Sequence, residues 1–354
     1  MNKRTFAVLV AVLTFIVGVA IARLSLPDLH TQSLPSPPKK AEIQLSNYRL
    51  SGPYVHENLT IFLVHGPDQS FSGPFTPLEE AMERKVVAVY ETSEVNELAI
   101  ENRSRSEEVF VQAGDIVKGG QQDRVLAVDL ILPAKSGKVP IDAFCVEHGR
   151  WTQRGTEQAE AFSVSEDMVA TKNLKLATKA DPSQARVWNE VEKAQEGLSQ
   201  GVNDDVRGFA SRSSLQLALE NDKVQDSAGE YVKKLSSIVE EHTDVIGFVF
   251  AINGRLNSAD VYPSNAMFKR FWSRLLKAAA IEALSEQSSN EKSGSVSIEA
   301  AGDFLVDAEK GTESFNEVTA RTHMVKRESE KGVFFETRDM DHDGAWIHRS
   351  YLTR

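Results

Sequence analysis

Apolar positions between residues 41 and 63 recur in short runs, Ile43 and Leu45 and then Leu59, Ile61 and Leu63, broken by Ser51-Gly52-Pro53. Alternation at a period of two sends side chains to opposite faces of a strand, so this stretch predicts strands separated by a turn. His65-Gly66-Pro67 and Gly73-Pro74 mark a loop. Thr76-Pro77-Leu78-Glu79-Glu80 then reads as a helix start, with threonine as N-cap, proline in the first helical position and early acids. Residues 86–90, 98–100 and 109–111 predict further strands around the polar segment 101–108. Residues 125–132 are almost continuously apolar and 140–148 partly so; the 133–139 loop between them predicts a hairpin centred near Ser136. In that register Leu132 faces Pro140, Val128 faces Phe144, Arg124 faces His148, and Gln122 lies near Arg150. One face, Leu126, Val128, Leu130, Phe144 and Val146, is core, and the other carries Asp123, Asp129, Cys145 and Glu147.

The pattern then changes period. Residues 155–180 are polar with alanine, serine and threonine and read as a loop crossing to the second half. Asp181-Pro182-Ser183 caps a helix running to about Ser199, with Val187, Trp188, Val191 and Ala194 at helical spacing and Trp188 assigned to the core. After an interruption at 201–208, Leu215, Leu217, Leu219, Tyr231, Leu235, Ile238 and Val239 predict one or two helices ending near His242. His242 reads as a partner for a helix C-terminal dipole, not as a ligand. Residues 245–252 and 255–262 flank Asn253-Gly254, a type I′ hairpin signal. Ser264 opens a helix whose stripe of Met267, Phe268, Phe271, Trp272, Leu275, Leu276 and Ala279 should pack on a sheet. Residues 287–295 form a polar linker, 302–310 a short helix, and the last segment returns to strands. The fold class is therefore α+β. A β-rich half of antiparallel hairpins (42–165) precedes a mixed α/β half (166–354), a helical segment followed by a hairpin and helix, in one large or two packed domains.

The first residues change this picture. Lys3 and Arg4 precede a long apolar run that stops at Arg23, the pattern of an export signal. Its length suits an uncleaved signal anchor, and Ala20-Ile21-Ala22 suits a cleaved signal peptide, so residues 1–25 stand as either. Residues 26–41 form a Pro-rich spacer. Positive charge is slightly greater before the apolar run than just after it, which places the folded part outside the cytoplasm. The chain is then a single-pass protein that meets the membrane through its N-terminal segment, or secreted or periplasmic if the signal is removed. A net charge of −11 with no cluster of Lys and Arg excludes a nucleic-acid footprint. The single cysteine, Cys145, excludes an intrachain disulfide and reads as a small buried hydrophobe. A lone cysteine also makes a Cys-based zinc site implausible, and no metal and no cofactor are expected.

Candidate chemistry gathers between Gln112 and Trp151. Paired glycines turn backbone amides inward as an anion nest, so Lys118, Gly119 and Gly120, with Gln122, Arg124, His148, Arg150 and Trp151 at the hairpin's open end, are candidate ligand-binding residues. The plainer reading is a tight turn with exposed basic side chains. Asp123 and Glu147 are candidate catalytic carboxylates if burial raises one pKa, against ion pairing with Arg124 and Arg150. Asp339, Asp341 and Asp343 match half of a calcium loop, but Ser350 stands where the bidentate glutamate is needed; an acidic hairpin turn is expected instead.

The run Ala113-Gly114-Asp115-Ile116-Val117-Lys118-Gly119-Gly120-Gln121-Gln122-Asp123-Arg124 carries a resemblance, together with Val139-Pro140-Ile141-Asp142 and Phe144-Cys145-Val146-Glu147-His148-Gly149-Arg150-Trp151. It resembles the ADP-ribosylglycohydrolase- and rhodanese-phosphatase-associated protein domain family, and the likeness extends through Trp188-Asn189-Glu190-Val191 and residues 247–260. The resemblance implies a link to NAD or ADP-ribose metabolism and brings no catalytic residue set. Three functions follow: a tethered or exported domain binding a small anionic ligand or a protein partner, a carboxylate-based hydrolase of ADP-ribose-like compounds, or a structural component of the envelope.

Overall fold

The computed structural model describes residues 41–71, 73–92, 94–150, 154–155, 162–169, 171–287 and 294–354. The apolar segment at 1–25, nearly all of the spacer, and Trp151 lie outside the described residues. Among those described, no helix is long and apolar enough to cross a membrane.

The chain opens with β1 (Ala41–Gln44), β2 (Arg49–His56) and β3 (Leu59–His65). A short β4 (Thr76–Pro77) leads into α1 (Leu78–Glu83). Then come β5 (Val87–Glu91), β6 (Glu97–Asn102), β7 (Val109–Val111), β8 (Asp115–Gly119), β9 (Arg124–Leu126), β10 (Leu130–Leu132), β11 (Gly137–Cys145) and β12 (Phe162–Met168). The helical segment holds α2 (Lys172–Lys175), a π-helical turn (Leu176–Ala180), α3 (Gln184–Gly201), α4 (Leu215–Leu219) and α5 (Asp222–Leu235). The hairpin of β13 (Val245–Ile252) and β14 (Arg255–Val261) precedes α6 (Asn265–Ser285) and α7 (Ile298–Ala308). Strands β15 (Thr312–Glu317), β16 (Thr322–Glu328), β17 (Gly332–Asp339) and β18 (Ala345–Thr353) end the fold.

The α+β class and the β-rich first half hold. A nine-stranded sheet runs β1-β2-β3-β13-β14-β18-β17-β16-β15, a six-stranded sheet β12-β8-β9-β11-β6-β5, and a small one β10-β7-β4. The largest sheet takes strands from both ends of the chain, and residues 40–354 form one compact unit. Its centre is the 245–262 hairpin, whose turn has φ of 52° at Asn253 and 75° at Gly254, the positive values a type I′ turn requires. Ser183 and Ser264 cap α3 and α6, accepting from the amides of Arg186 and Met267. The predicted α6 stripe is buried throughout, from Met267 to Ala279.

Several boundaries differ from the sequence reading. Thr76 does not cap α1; it lies in β4, and Pro77 stands at the cap without a side-chain bond. The 155–180 stretch is not only a loop, because it contains β12, α2 and the π-turn, and α7 starts at Ile298, ahead of 302. The central hairpin changes most. Arg124 pairs with Cys145, not His148, and Val125 with Phe144, a three-residue offset. The first strand also ends at Leu126, and 130–132 moves away to pair with β7. An odd offset puts Leu126 and Phe144 on opposite faces, each packed into a different apolar cluster. Both faces are covered, which is why 125–132 reads as a continuous apolar run and why the expected polar face is interior.

Candidate functional site

The Gly119-Gly120 turn closes β8 onto β9 with φ of 107° and 54°. A Cβ on Gly120 would lie 2.5 Å from Phe162 Cζ and 2.7 Å from Glu91 Oε1, so only glycine fits. The turn does gather an anion at its amide, but the anion is the chain's own: Gly119 N–H donates to Asp123 Oδ1 at 3.0 Å. Its carbonyls point the other way and accept from Arg150, at 3.2 Å for Gly119 and 3.3 Å for Gly120. Lys118 is spent on Glu220.

Asp123 and Glu147 are fully buried. Asp123 accepts from Arg154 at 2.8 and 3.1 Å and from Ser214 Oγ at 2.8 Å. Glu147 accepts from Arg150 Nε at 2.7 Å and from the Asp123 amide at 3.2 Å. Burial pushes the Asp123 carboxyl up despite Arg154. Burial also works against the Glu147 carboxylate, but hydrogen bonds from Arg150 and Ser211 and the Arg150 charge outweigh it and hold the group below its ordinary range. The expected ion pairing is therefore present with Arg150, which also lies 3.7 Å from Asp123, whereas the closest cation to Asp123 is Arg154. Arg124 reaches neither carboxylate; it faces Gln122 Oε1 at 3.1 Å, the Cys145 sulfur and, at 3.5 Å, Glu91. Cys145 is buried, and burial raises its thiol pKa, as a structural cysteine requires.

Beyond this buried pair of carboxylates the hairpin end opens. His148 is exposed and is tied to Ser213 by paired bonds of 3.1 and 2.7 Å, while the Leu215 amide donates to Val146 O at 3.0 Å. These contacts bring the 211–214 loop alongside, and Gln184, bonded to the Cys145 backbone, brings α3, leaving a cleft of about 610 Å³. His148, Trp188, Asn189, Val191, Glu192, Gln195, Arg207, Arg212 and Ser213 line it. The His148 ring meets Trp188 edge to face at 4.4 Å. Trp188 is thus a half-buried cleft wall and not core, and its Nε1 has no hydrogen-bond acceptor among the described residues. Arg212 pairs with Asp205 at 2.7 Å, and Arg207 lies 3.8 Å from both Asp205 and Glu196. Of the sequence candidates among the described residues, only His148 lines the cleft; Lys118, Gly119, Gly120, Gln122, Arg124 and Arg150 do not, and Trp151 lies outside the described residues. The position of Trp188 was readable, because Val187, Val191, Ala194 and Leu198 define the buried stripe and residue 188 falls off it. Arg207 and Arg212 carry no such signal, standing in an irregular polar stretch.

A second polar cluster lies deep between the sheets. His348 Nδ1 is 2.8 Å from Asp129 and its Nε2 3.1 Å from Asp260, with Tyr262 stacked on the ring at 4.8 Å. Asp129 also accepts from Thr337 Oγ1 at 2.6 Å and the Ala113 amide at 2.8 Å, and Lys179 of the π-turn approaches it at 3.7 Å. Burial works against the His348 imidazolium, but the Asp129 and Asp260 carboxylates outweigh it and hold the pKa above the ordinary range. The enclosed space here is about 20 Å³, far below the roughly 300 Å³ at which small-molecule sites begin. This cluster ties β18 to β14 and to the turn after β9, and it encloses no room for a small molecule.

At the chain's far end Asp339 accepts from Arg321 Nη2 at 2.7 Å and lies 2.9 Å from His342 Nδ1, so the acidic turn is tied up internally, between β17 and β18 as expected. No curated protein and no solved structure matches the chain. The profile of the ARG and Rhodanese-Phosphatase-superfamily-associated Protein domain matches residues 47–352, so the chain belongs to that family.

Proposed function

We propose that this domain binds a small anionic ligand of the ADP-ribose or nucleotide class in the cleft between the hairpin end and α3. One observation carries the reading: an open cleft of about 610 Å³ whose walls combine Trp188 and His148 with Arg207 and Arg212. Small-molecule sites fall in the range of about 300–1,000 Å³. Aromatic faces suit a base, and guanidinium forks suit phosphate. The family's link to ADP-ribose chemistry points to the same class. Hydrolysis is the weaker reading because Arg150, Arg154, Ser214 and backbone amides already occupy the oxygens of Asp123 and Glu147. The apolar run after Lys3 and Arg4 supports export or anchoring, with the cleft outside the cytoplasm.

Titration calorimetry of the full-length chain with ADP-ribose, NAD and inorganic phosphate tests the reading. Saturable binding of ADP-ribose or NAD is expected, weakened about tenfold or more by Arg207→Ala with Arg212→Ala, since one charged hydrogen bond contributes about 1.5–3 kcal/mol. Absence of binding, or unchanged affinity in the double variant, would overturn it. Turnover lost in both Asp123→Asn and Glu147→Gln would bring the hydrolase forward.

A further inference from the structure

Three potential metal ligands converge where β3 ends, and none of them lines the cleft. His65 is the last residue of β3 and pairs with Val245, the first of β13. His242 and Asp244 lie in the turn just before Val245, and the Gly66 amide donates to Asp244 O at 2.9 Å, pinning the two backbones together. One ligand atom from each of His65, His242 and Asp244 lies within 4.8 Å of the other two. The imidazole rings stand nearly perpendicular, at 86°, with centroids 5.1 Å apart. The helical turn before His242 stops at Val239, and the His242 ring faces His65.

We infer that His65, His242 and Asp244 form a zinc site with a fourth position open to solvent. Two imidazoles and a carboxylate are the donor set that zinc takes when one position is left for water. Zinc bonds of about 2.0–2.2 Å in a tetrahedron separate ligand atoms by about 3.4 Å, so the widest pair must close by at most roughly 1.4 Å. The exposure pattern permits that closure. His65 is 1% exposed and fixed, whereas Asp244 is 48% exposed and His242 half-buried, so two adjustable ligands can close on a rigid one. The outer contacts suit the role as well. Ser51 Oγ lies 2.7 Å from His65 Nε2 and can accept its N–H once Nδ1 takes the metal, which sets the tautomer. Arg49 donates to Asp244 Oδ2 at 2.7 Å and orients the carboxylate so that Oδ1 faces His65 at 2.9 Å. The same Arg49 competes with a cation for Asp244 and moderates the affinity. Hard cations are poorly served by two nitrogens, so calcium and magnesium are excluded by chemistry.

The test uses the full-length chain, stripped with chelator and titrated with zinc against a chromogenic chelator, with thermal unfolding followed in parallel. One zinc per chain and a rise in melting temperature are expected, with no response to calcium or magnesium. His242→Ala and Asp244→Asn, both at the surface, should each weaken zinc binding by about tenfold or more, since even outer-shell changes cost about 10–100-fold. His323→Ala, on β16 at the other end of the sheet, should leave the affinity unchanged. No stoichiometric zinc, wild-type affinity in both ligand variants, or equal binding of calcium or magnesium would overturn the site.

Discussion

Glu282 shows how a single buried carboxyl sets a pH dependence for the fold. It sits on α6 facing α2 and β14; one oxygen accepts from the Lys172 amide at 2.7 Å and from Asn257 at 2.9 Å, and Oε2 has no donor among the described residues. Burial, opposed by the Lys175 charge, pushes its pKa up from 4.5 to about 7. A raised carboxyl pKa means that between pH 4.5 and about 7 the native state keeps a proton the unfolded chain has released. Stability attributable to Glu282 therefore falls as pH rises through that window. Melting temperature recorded from pH 5 to 7 should decline in the native sequence, and Glu282→Gln, which keeps the two accepted bonds on its carbonyl, should flatten the slope. An unchanged slope would remove Glu282 as its source. Nothing local in the sequence marks this residue, whereas Asp123, Glu147 and Arg150 stood out because they cluster within one hairpin. Even there, the partners from outside the hairpin, Arg154 and Ser214, could be assigned only once the chain had folded.

Among elements, those set by local chemistry were legible and those set by partner choice were not. Ser183, Ser264 and Asn253-Gly254 act within a few residues of themselves, so α3, α6 and the β13–β14 hairpin follow from sequence. The break between β9 and β10 has no such signal: Asp129 turns the chain because Thr337 and His348, more than two hundred positions away, take its carboxylate. The glycines of the helices make a similar distinction testable. Gly197 in α3 looks like a helix weakness, yet a Cβ there would lie 2.5 Å from the Ser285 carbonyl at the end of α6. Gly229 in α5 is exposed, with nothing within 4 Å of such a Cβ. Gly229→Ala should stabilise by about 0.5–1 kcal/mol, the usual gain for alanine in a helix interior. Gly197→Ala should instead destabilise, because α3 must move off α6. Urea midpoints of the two variants, expected to shift in opposite directions, check the claim, and a stabilised Gly197→Ala would mean that the helices tolerate separation.

On the scale of the whole molecule, the division at residue 165 describes composition and not folding. Strand β3 comes from the first half, yet one of its neighbours is β13, and β18 from the chain's end packs beside β14 in the same sheet. One apolar cluster runs through Leu59, Ile61 and Leu63 of β3, Ile116 of β8, Phe144 of β11, the α3 and α6 stripes and Ile347 of β18. Neither half can bury its apolar surface without the other. Chains of this length often unfold through intermediates, but that requires parts with separate cores, and here the core is shared. Urea unfolding followed by far-ultraviolet circular dichroism should therefore coincide with tryptophan fluorescence, whose reporters include Trp188 on α3, Trp272 on α6 and Trp346 on β18. Residues 41–165 expressed alone should show no cooperative transition, because β3 would expose to water the edge and face that β13 and α6 cover. A fragment that melts cooperatively, or two separated transitions in the full chain, would restore the two-domain reading and require that the β-rich half hold a self-sufficient core in the cluster of Leu98, Ile100, Val109, Leu126 and Leu130. That cluster is smaller than the shared one and draws on only one half of the chain, apart from a partly buried contact from Val318. Its strands β8, β9 and β11 turn their other face, through Ile116, Val125 and Phe144, into the shared core, so losing the second half strips one side of the sheet that cluster depends on.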